Sequence, residues 1–316
     1  MGDKKITRHW VMAMPLVLVP ITIAFSILIF DKSYYLWVSL LILAETMLPF
    51  LVIYEKRRIR AREVAMIALL SAMTVLGNLL SVSILPIQMG TAMVIISGIA
   101  FGPETGFLIG ALSRLLVNFF LGQGSWTPWQ MFAWGLTGFL SGMAFNKVTP
   151  SKENTMETWR EKNRINSRSF RVVLGPVVTV AVALIVGYIS YLLLPMNEES
   201  FLGWRVYAFG LVGLIIGAIL QRKRLPADNV TLTIFTFLVV LIIYGGLMNF
   251  STVVTTSTVS GGVSRQEFWK SARIYYLSGL PYDFWHAFRA SLAIFFFGNA
   301  VLGKLERVKV KYGFCR

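Results

Sequence analysis

The sequence predicts an all-α protein that crosses a membrane many times. Of its 316 residues, 56% are hydrophobic and only 14% are charged, and the mean hydropathy is +0.66. Apolar runs of about 20 residues recur along the chain, which is the length that a helix needs to cross a bilayer core. These runs are continuous and do not alternate between apolar and polar residues, which argues against a transmembrane β-barrel.

Ten apolar segments are predicted as membrane spans. They cover residues 10–30, 34–54, 63–83, 88–101, 105–121, 128–146, 172–195, 203–221, 230–250 and 283–304. The first has no small-residue cleavage site after it, so we interpret it as a retained span and not as a signal peptide. Segment 88–101 is short and is expected to be tilted, half-spanning or broken. If one adjacent pair of spans is removed, most basic residues stay on the same side of the membrane, so eight spans are the alternative.

Basic residues predict the orientation of these spans. With the N-terminus inside, 23 of the 30 lysines and arginines fall in inner segments and five in outer segments. Cytoplasmic loops carry such an excess, so both termini are predicted to be cytoplasmic. The net charge of +15 is then a topology signal and not an affinity for nucleic acid. The longest inner segment is 147–171, and outer segment 251–282 is long enough to be a functional loop.

Several chemistries are excluded by what the chain lacks. Cys315 is the only cysteine, so no disulfide within the chain and no cysteine-based metal site can form. The sequence has no G-x-x-x-x-G-K-[ST] phosphate loop and no H-E-x-x-H motif. Uphill transport would therefore need an energy source on another subunit.

Amide and aromatic side chains gather at the predicted outer ends of the spans. Tryptophan and tyrosine are common at the lipid headgroup level, which accounts for part of this pattern. The interleaved amides need another explanation, and they suit a ligand with carboxamides and a flat ring system. The candidate substrate-binding residues are Gln88, Asn118, Gln123, Trp126, Trp129, Gln130, Asn249, Tyr282, Asp283, Trp285, His286 and Arg289.

Charged and small residues within the spans suggest further contacts. Arg114 and Arg289 are expected to pair with Asp283 or with an anionic group of a ligand, because an unpaired charge in a membrane is unfavourable. His286 is more typical of a hydrogen-bonding group than of a metal ligand. A stripe of small residues predicts close packing by another helix, within this chain or from a partner. This stripe consists of Ala61, Ala65, Ala68 and Ala72.

Several of these motifs resemble a known family of membrane proteins. Ala65-x-x-Ala68-Leu-Leu-Ser-Ala72 resembles the first core helix of the substrate-binding S components of energy-coupling factor (ECF) transporters. Phe101-Gly-Pro-Glu-Thr-Gly, the glutamine- and tryptophan-rich segment 120–135, Tyr244-Gly-Gly-Leu-Met-Asn and Gly279-Leu-Pro-Tyr-Asp-Phe-Trp-His-Ala resemble the cobalamin-specific CbrT type. The resemblance covers residues 61–146 and 230–312.

The resemblance implies a six-helix core with four additional spans. Residues 1–60 would contain two extra helices and 61–146 the first four core helices. Residues 147–229 would contain the inner loop and two more extra helices. Residues 230–316 would contain the last two core helices, the outer loop and a cytoplasmic tail.

The resemblance also implies a function. An S component captures a vitamin outside the cell, here cobalamin, and delivers it inwards with the membrane subunit EcfT and the ATPases EcfA and EcfA′. The chain would then be a multi-pass protein of a prokaryotic plasma membrane, not an enzyme, with no cofactor of its own. The alanine stripe would contact EcfT, and His286 would be the candidate cobalt ligand. The alternatives are another vitamin, a self-sufficient secondary transporter and an integral-membrane enzyme.

Overall fold

The computed structural model confirms the all-α class for the residues that it describes. These are residues 61–83, 86–145, 227–259 and 264–312, with isolated positions between 22 and 52, between 182 and 212, and at 225. A single bridge between Phe145 and Leu225 is the one β-type pairing in this part of the chain. Four predicted spans lie outside the continuously described residues, as do the inner segment 147–171 and Cys315. Those spans are 10–30, 34–54, 172–195 and 203–221.

The continuously described residues form six helices. Their bounds are α1 Ala61–Ser83, α2 Met89–Phe101, α3 Pro103–Leu121, α4 Thr127–Ala144, α5 Asn229–Val259 and α6 Arg265–Lys311. Helix α5 contains one stretch of π-helix, Val239–Tyr244, between two α-helical parts. The predicted bounds of the first four helices agree with the structure to within two residues.

Four of these helices, α1, α3, α5 and α6, are long and apolar enough to cross a membrane. Helix α2 has 13 residues and is unbroken. At 1.5 Å per residue it is about 20 Å long, which is shorter than a bilayer core of about 30 Å. The sequence correctly predicted that this helix is short, and the structure excludes a break within it.

Helix α2 lies at the centre of the bundle. All its residues from Gly90 to Ala100 are buried. Helices α1, α3, α4 and α6 pack around it. A helix that is apolar on every side is stable only when it is surrounded in this way, or by lipid. The core around α2 includes the fully buried side chains of Leu70, Ile109 and Ile294.

Glycines bring the backbones of α2, α3 and α4 into direct contact. A Cβ atom added at Gly106 of α3 would lie 2.6 Å from the carbonyl oxygen of Gly138 on α4. It would also lie 2.6 Å from the Cα of Gly98 on α2. Membrane helices pack this closely only where small residues face each other. The three glycines therefore set the distance and register of these helices.

Two tight turns join these three helices. Gly102 and Gly122 have φ angles of 99° and 106°, which residues with a Cβ rarely adopt. Pro103 follows Gly102 in the first turn of α3, where a missing N–H is tolerated. The turns keep α2, α3 and α4 next to one another.

The second part of α5 and the first part of α6 form an antiparallel helix pair. We call this the outer helix pair, after the orientation that the basic residues predict, and define it as Gly245–Val259 with Arg265–Asp283. The Tyr276 hydroxyl donates to the carbonyl oxygen of Gly246 at 2.9 Å. Helix α6 has 47 residues, so it is about 70 Å long and more than twice the thickness of a bilayer core.

The outer helix pair corrects the interpretation of 251–282 as a loop. Residues 251–259 and 265–282 are helical. Ser264 and Glu267 form a reciprocal cap at the start of α6, which satisfies backbone donors that would otherwise lack a partner. The sequence interpretation rested on the length of the segment between two apolar runs, which is equally compatible with two helices that pack against each other.

The opposite end of the bundle is held by bonds from the last turns of α6. The Lys309 ammonium donates to the carbonyl oxygen of Ala100 at 2.8 Å and lies 3.3 Å from the Glu306 carboxylate. The Arg62 guanidinium donates to the carbonyl oxygen of Tyr312 at 3.4 Å. These contacts fix the end of α6 against α1 and α2.

The glycine contact predicts that Gly106→Ala destabilises the protein. The added methyl overlaps backbone atoms that cannot rotate away, and such overpacking costs about 1–3 kcal/mol. We expect a lower thermal midpoint in detergent, measured by intrinsic fluorescence. Gly303→Ala is the matched control, because nothing lies within 4 Å of its new Cβ. A midpoint unchanged in Gly106→Ala would contradict the contact.

Candidate functional site

A polar network joins α3, α4 and the turn between them. The buried Asn118 amide donates to Gln130 Oε1 at 2.9 Å and to Thr127 Oγ1 at 3.1 Å. Gln130 Oε1 also accepts from Arg114 Nε at 2.8 Å. The Thr127 hydroxyl donates to Gln123 Oε1 at 2.9 Å. The structure thus brings together the three amides that the sequence singled out in this region.

The local sequence explains this arrangement. Arg114 and Asn118 are four residues apart, so they lie on one face of α3. Gly122 ends α3, and Pro128 lies in the first turn of α4. The short connection therefore places the first turn of α4, with Gln130, beside the last turn of α3.

A second polar cluster lies between α5 and α6. The Asn249 amide donates to Asp283 Oδ2 at 2.6 Å. A Cβ atom at Gly245 would lie 2.7 Å from Asp283 Cγ, and one at Gly279 would lie 3.0 Å from Asn249 Cγ. The glycines in the Tyr-Gly-Gly and Gly-Leu-Pro motifs therefore provide the space in which this pair forms.

His286 links this cluster to α2. Its Nε2 lies 3.1 Å from the Thr91 hydroxyl oxygen, and its ring packs edge-on against Tyr244 at 4.8 Å between centroids. Tyr244 is the last residue of the π-helical turn in α5, and such turns are often found at functional sites. Because Thr91 engages Nε2, cobalt ligation through this atom would require that bond to break.

Helix packing connects the two clusters. The Arg114 guanidinium carbon lies 5.1 Å from the centroid of the Trp134 ring on α4. Helix α4 in turn packs against the π-helical stretch of α5 and the part of α5 that follows it. The polar residues of α3 and α4 and those of α5 and α6 therefore lie on helices in contact, and we take them together as one candidate site.

Trp129 extends this site with a buried donor. Its ring packs edge-on against Phe250 of α5, with centroids 5.9 Å apart. Its indole N–H is buried and has no acceptor among the residues that the structure describes, and the same is true of Gln88 Oε1. Buried polar atoms are nearly always hydrogen-bonded. These two atoms are therefore available to a ligand.

Arg289 holds the connection between α1 and α2. It donates through Nε to the carbonyl oxygen of Pro86 at 2.8 Å and through Nη2 to that of Ser81 at 2.7 Å. Its own carbonyl oxygen accepts from the Gln88 N–H at 3.1 Å. The Ser81 carbonyl lies in the last turn of α1, where a helix leaves acceptors without internal partners, and the Pro86 carbonyl lies just past the end of that helix. The structure thus places Arg289 as a clamp that positions Gln88.

Four of the predicted site residues lie on the outside of the described structure. Tyr282 is 72% and Trp285 is 54% exposed, whereas their neighbours Asp283 and His286 are each 6% exposed. Adjacent residues on a helix differ by about 100° in direction, so the Tyr-Asp-Phe-Trp-His motif faces two ways. The exposed members are Gln123, Trp126, Tyr282 and Trp285.

Sequence reasoning left several site residues out of the candidate set. Thr91, Thr127, Trp134 and Tyr244 all contact predicted site residues or Arg114. Tyr244 could have been found, because it begins the Tyr-Gly-Gly motif. Thr91 lies almost one helical turn after Gln88, within an apolar segment where a single hydroxyl gives little signal.

The alanine stripe is accessible. All four alanines, Ala61, Ala65, Ala68 and Ala72, are exposed on α1. They share one face, because their spacing follows the helical repeat. This placement leaves room for a partner helix, and partner docking stays a prediction.

The site as a whole offers hydrogen bonds and ring faces. Among the described residues, no three His, Cys, Asp or Glu side chains gather where they could hold a metal ion. The site instead supplies amide donors and acceptors, an indole N–H and a guanidinium. Such groups are chemically able to form hydrogen bonds with a polar solute and to pack against a flat ring.

The clamp predicts that Arg289→Met lowers stability. Losing a charged donor to two carbonyls costs about 1.5–3 kcal/mol, so we expect a lower thermal midpoint in detergent. Arg289→Lys, which keeps the charge and one donor, should fall between the variant and the parent. Equal midpoints for all three proteins would show that the clamp contributes nothing.

One comparison with known proteins matches the part of the chain that contains the first four helices. Residues 58–162 match the family model described as ECF-type riboflavin transporter, S component. No curated protein and no solved structure matches the chain. The matched range covers about a third of the chain and contains the alanine stripe and the glutamine/tryptophan turn. Over these residues the chain is therefore similar to the S components of ECF transporters, and its long apolar helices support a multi-pass membrane protein.

Proposed function

We propose that this chain is the vitamin-binding S component of an ECF importer and that it captures cobalamin. The observation that carries the proposal is the family match over α1 to α4, which includes one side of the site. In this proposal the site lies at the outer surface of a prokaryotic plasma membrane. The chain binds its substrate and performs no chemistry on it.

The chemistry of the site supports a ligand rich in amides. Asn118, Gln130 and Asn249 are held in fixed positions by bonds to one another or to Asp283. Each amide has both donor and acceptor atoms, so it complements the carboxamide arms of a corrin ring. Trp129 adds a buried N–H and an aromatic surface.

Two features of cobalamin distinguish it from the alternatives. It is large, and α6 offers the exposed rings of Tyr282 and Trp285 beside the buried Asp283 and His286. It also carries many carboxamides, which the amides of Asn118, Gln130 and Asn249 complement. Riboflavin, which the family description names, has a flat ring and a hydroxylated chain, and it is the second candidate.

A secondary transporter has less support. Such a protein needs carboxylates that bind and release the coupling ion within its spans. Asp283 lies in the site, but it accepts from Asn249 at 2.6 Å. The importer proposal places energy coupling on partner ATPases instead.

Calorimetric titration of the purified chain tests the substrate. The panel is cobalamin, cobinamide, riboflavin, folate, thiamin and biotin. We expect cobalamin to bind at least tenfold more tightly than riboflavin, folate, thiamin or biotin. Binding of riboflavin without cobalamin would overturn the substrate but keep the S component, and binding of none would overturn both.

The variant Trp129→Phe tests whether the vitamin binds at this site. Trp129→Phe keeps the ring contact with Phe250 and removes only the N–H. We expect binding to weaken about fivefold, as for one lost hydrogen bond of about 1 kcal/mol, with no loss of thermal stability. Trp269→Phe, at an exposed position of α6, is the control and should bind like the parent.

We also propose that EcfT docks on the alanine stripe. EcfA and EcfA′ would then join the complex by binding EcfT. Exposure of all four alanines supports this surface, because a flat face lets another helix approach closely. Ala68→Leu should abolish copurification with EcfT and the ATPases while vitamin binding is kept. Met73→Leu, on another exposed part of α1, should copurify normally.

Vitamin uptake that persists in cells without the ATPases would refute the importer.

A further inference from the structure

Resting on the vitamin-binding function proposed above, we propose that the substrate carries an anionic group, a phosphodiester or a carboxylate, and that Arg114 binds it. Arg114 is in the outer half of α3, in the centre of the site. The proposal concerns the class of substrate and the residue that selects it.

The guanidinium of Arg114 is held in one orientation. Its Nε donates to Gln130 Oε1 at 2.8 Å, and Gln130 is fixed in turn by Asn118. Its carbon lies 5.1 Å from the Trp134 ring centroid, within the range of a cation–π contact. Two independent contacts therefore fix the plane of the group before any ligand binds.

The two terminal nitrogens of this guanidinium are available. Among the residues that the structure describes, Arg114 has no bond besides the one from Nε to Gln130 and the contact with Trp134. The carboxylate of Asp283, in the same site, accepts from Asn249. A cationic side chain inside a membrane protein normally has an anionic partner or faces a cavity. A ligand anion would supply that partner.

The geometry of the free nitrogens selects an oxyanion. The two terminal NH₂ groups form a planar fork that matches the spacing of carboxylate and phosphate oxygens.

The positive charge of Arg114 would favour vitamins with an anionic group over neutral and cationic ones. Cobalamin has a phosphodiester, whereas cobinamide lacks it. Riboflavin is neutral, and its phosphate ester is anionic. Thiamin is cationic and is repelled by Arg114. Riboflavin and its phosphate ester differ only in the anionic group, and cobalamin and cobinamide differ in the nucleotide loop that carries the phosphodiester. Comparing the two members of each pair therefore reports on Arg114.

The test is calorimetric titration of the full chain and of Arg114→Gln with two such pairs, cobalamin with cobinamide and riboflavin phosphate with riboflavin. For the pair that binds, we expect Arg114→Gln to weaken the anionic member by about 10- to 100-fold, because hydrogen bonds to charged groups are the stronger ones. The neutral member should change by less than about threefold. Arg114→Lys, which keeps the charge without the fork, should be intermediate.

Lys304→Gln is the matched control, because it removes one positive charge from an exposed position near the other end of α6. Equal weakening of both members by Arg114→Gln, or no weakening of either, overturns the role of Arg114 while vitamin binding stands. Binding of the flavin pair alone overturns cobalamin as substrate and still measures Arg114. Binding of neither pair overturns the proposed substrates and the inference with them.

Discussion

The structure depends on the backbone contact that glycines allow between α3 and α4. Gly106 lies against Gly138, and the antiparallel register set there continues along both helices. Eight residues later in α3 and eight residues earlier in α4, Arg114 meets Gln130 at 2.8 Å. A shift of one residue in this register would move a side chain by about 100° around its helix and separate the two groups. The packing of one end of the bundle thus decides the chemistry of the other.

Helices α5 and α6 use the same physical principle for a different pair. Gly245 and Gly279 leave the space in which Asn249 and Asp283 meet. Within a membrane protein the local dielectric constant is low, so an unpaired amide or carboxylate is costly and a paired one is well stabilised. The small residues let the two helices approach closely enough for their polar groups to form hydrogen bonds with each other. Ligand capture has to exchange some of these bonds for bonds to the substrate.

Hydropathy predicted the first four helices closely and the last two incompletely. It locates the residues that lie in hydrocarbon, and for α1 to α4 these nearly coincide with the helix. For α5 and α6 they do not, because the helices continue beyond the apolar runs that end at 250 and begin at 283. What stabilises that continuation is a contact between distant segments, such as Tyr276 with Gly246, which no local pattern reveals.

The candidate site was predictable as a set of residue types but not as an arrangement. The amides Asn118, Gln123 and Gln130 were identified by their unusual place among tryptophans, and they do bond within one network. Arg289 was expected to pair with Asp283 or with an anionic group of a ligand, and the structure shows it donating to two backbone carbonyls at the end of α1. Those carbonyls come within reach of the Arg289 donors only once α1 and α6 are packed together, so this contact cannot be predicted from the sequence.

The depth of Arg114 is compatible with the anion-binding role that we propose for it. It is half-buried, so the full penalty of burying a charge is avoided. At an effective dielectric constant of about 20, its attraction for an anion is about four times that in water. A fully exposed arginine would discriminate weakly, and a fully buried one would destabilise the bundle without a partner. An intermediate depth therefore suits the proposed reversible binding of an anionic solute.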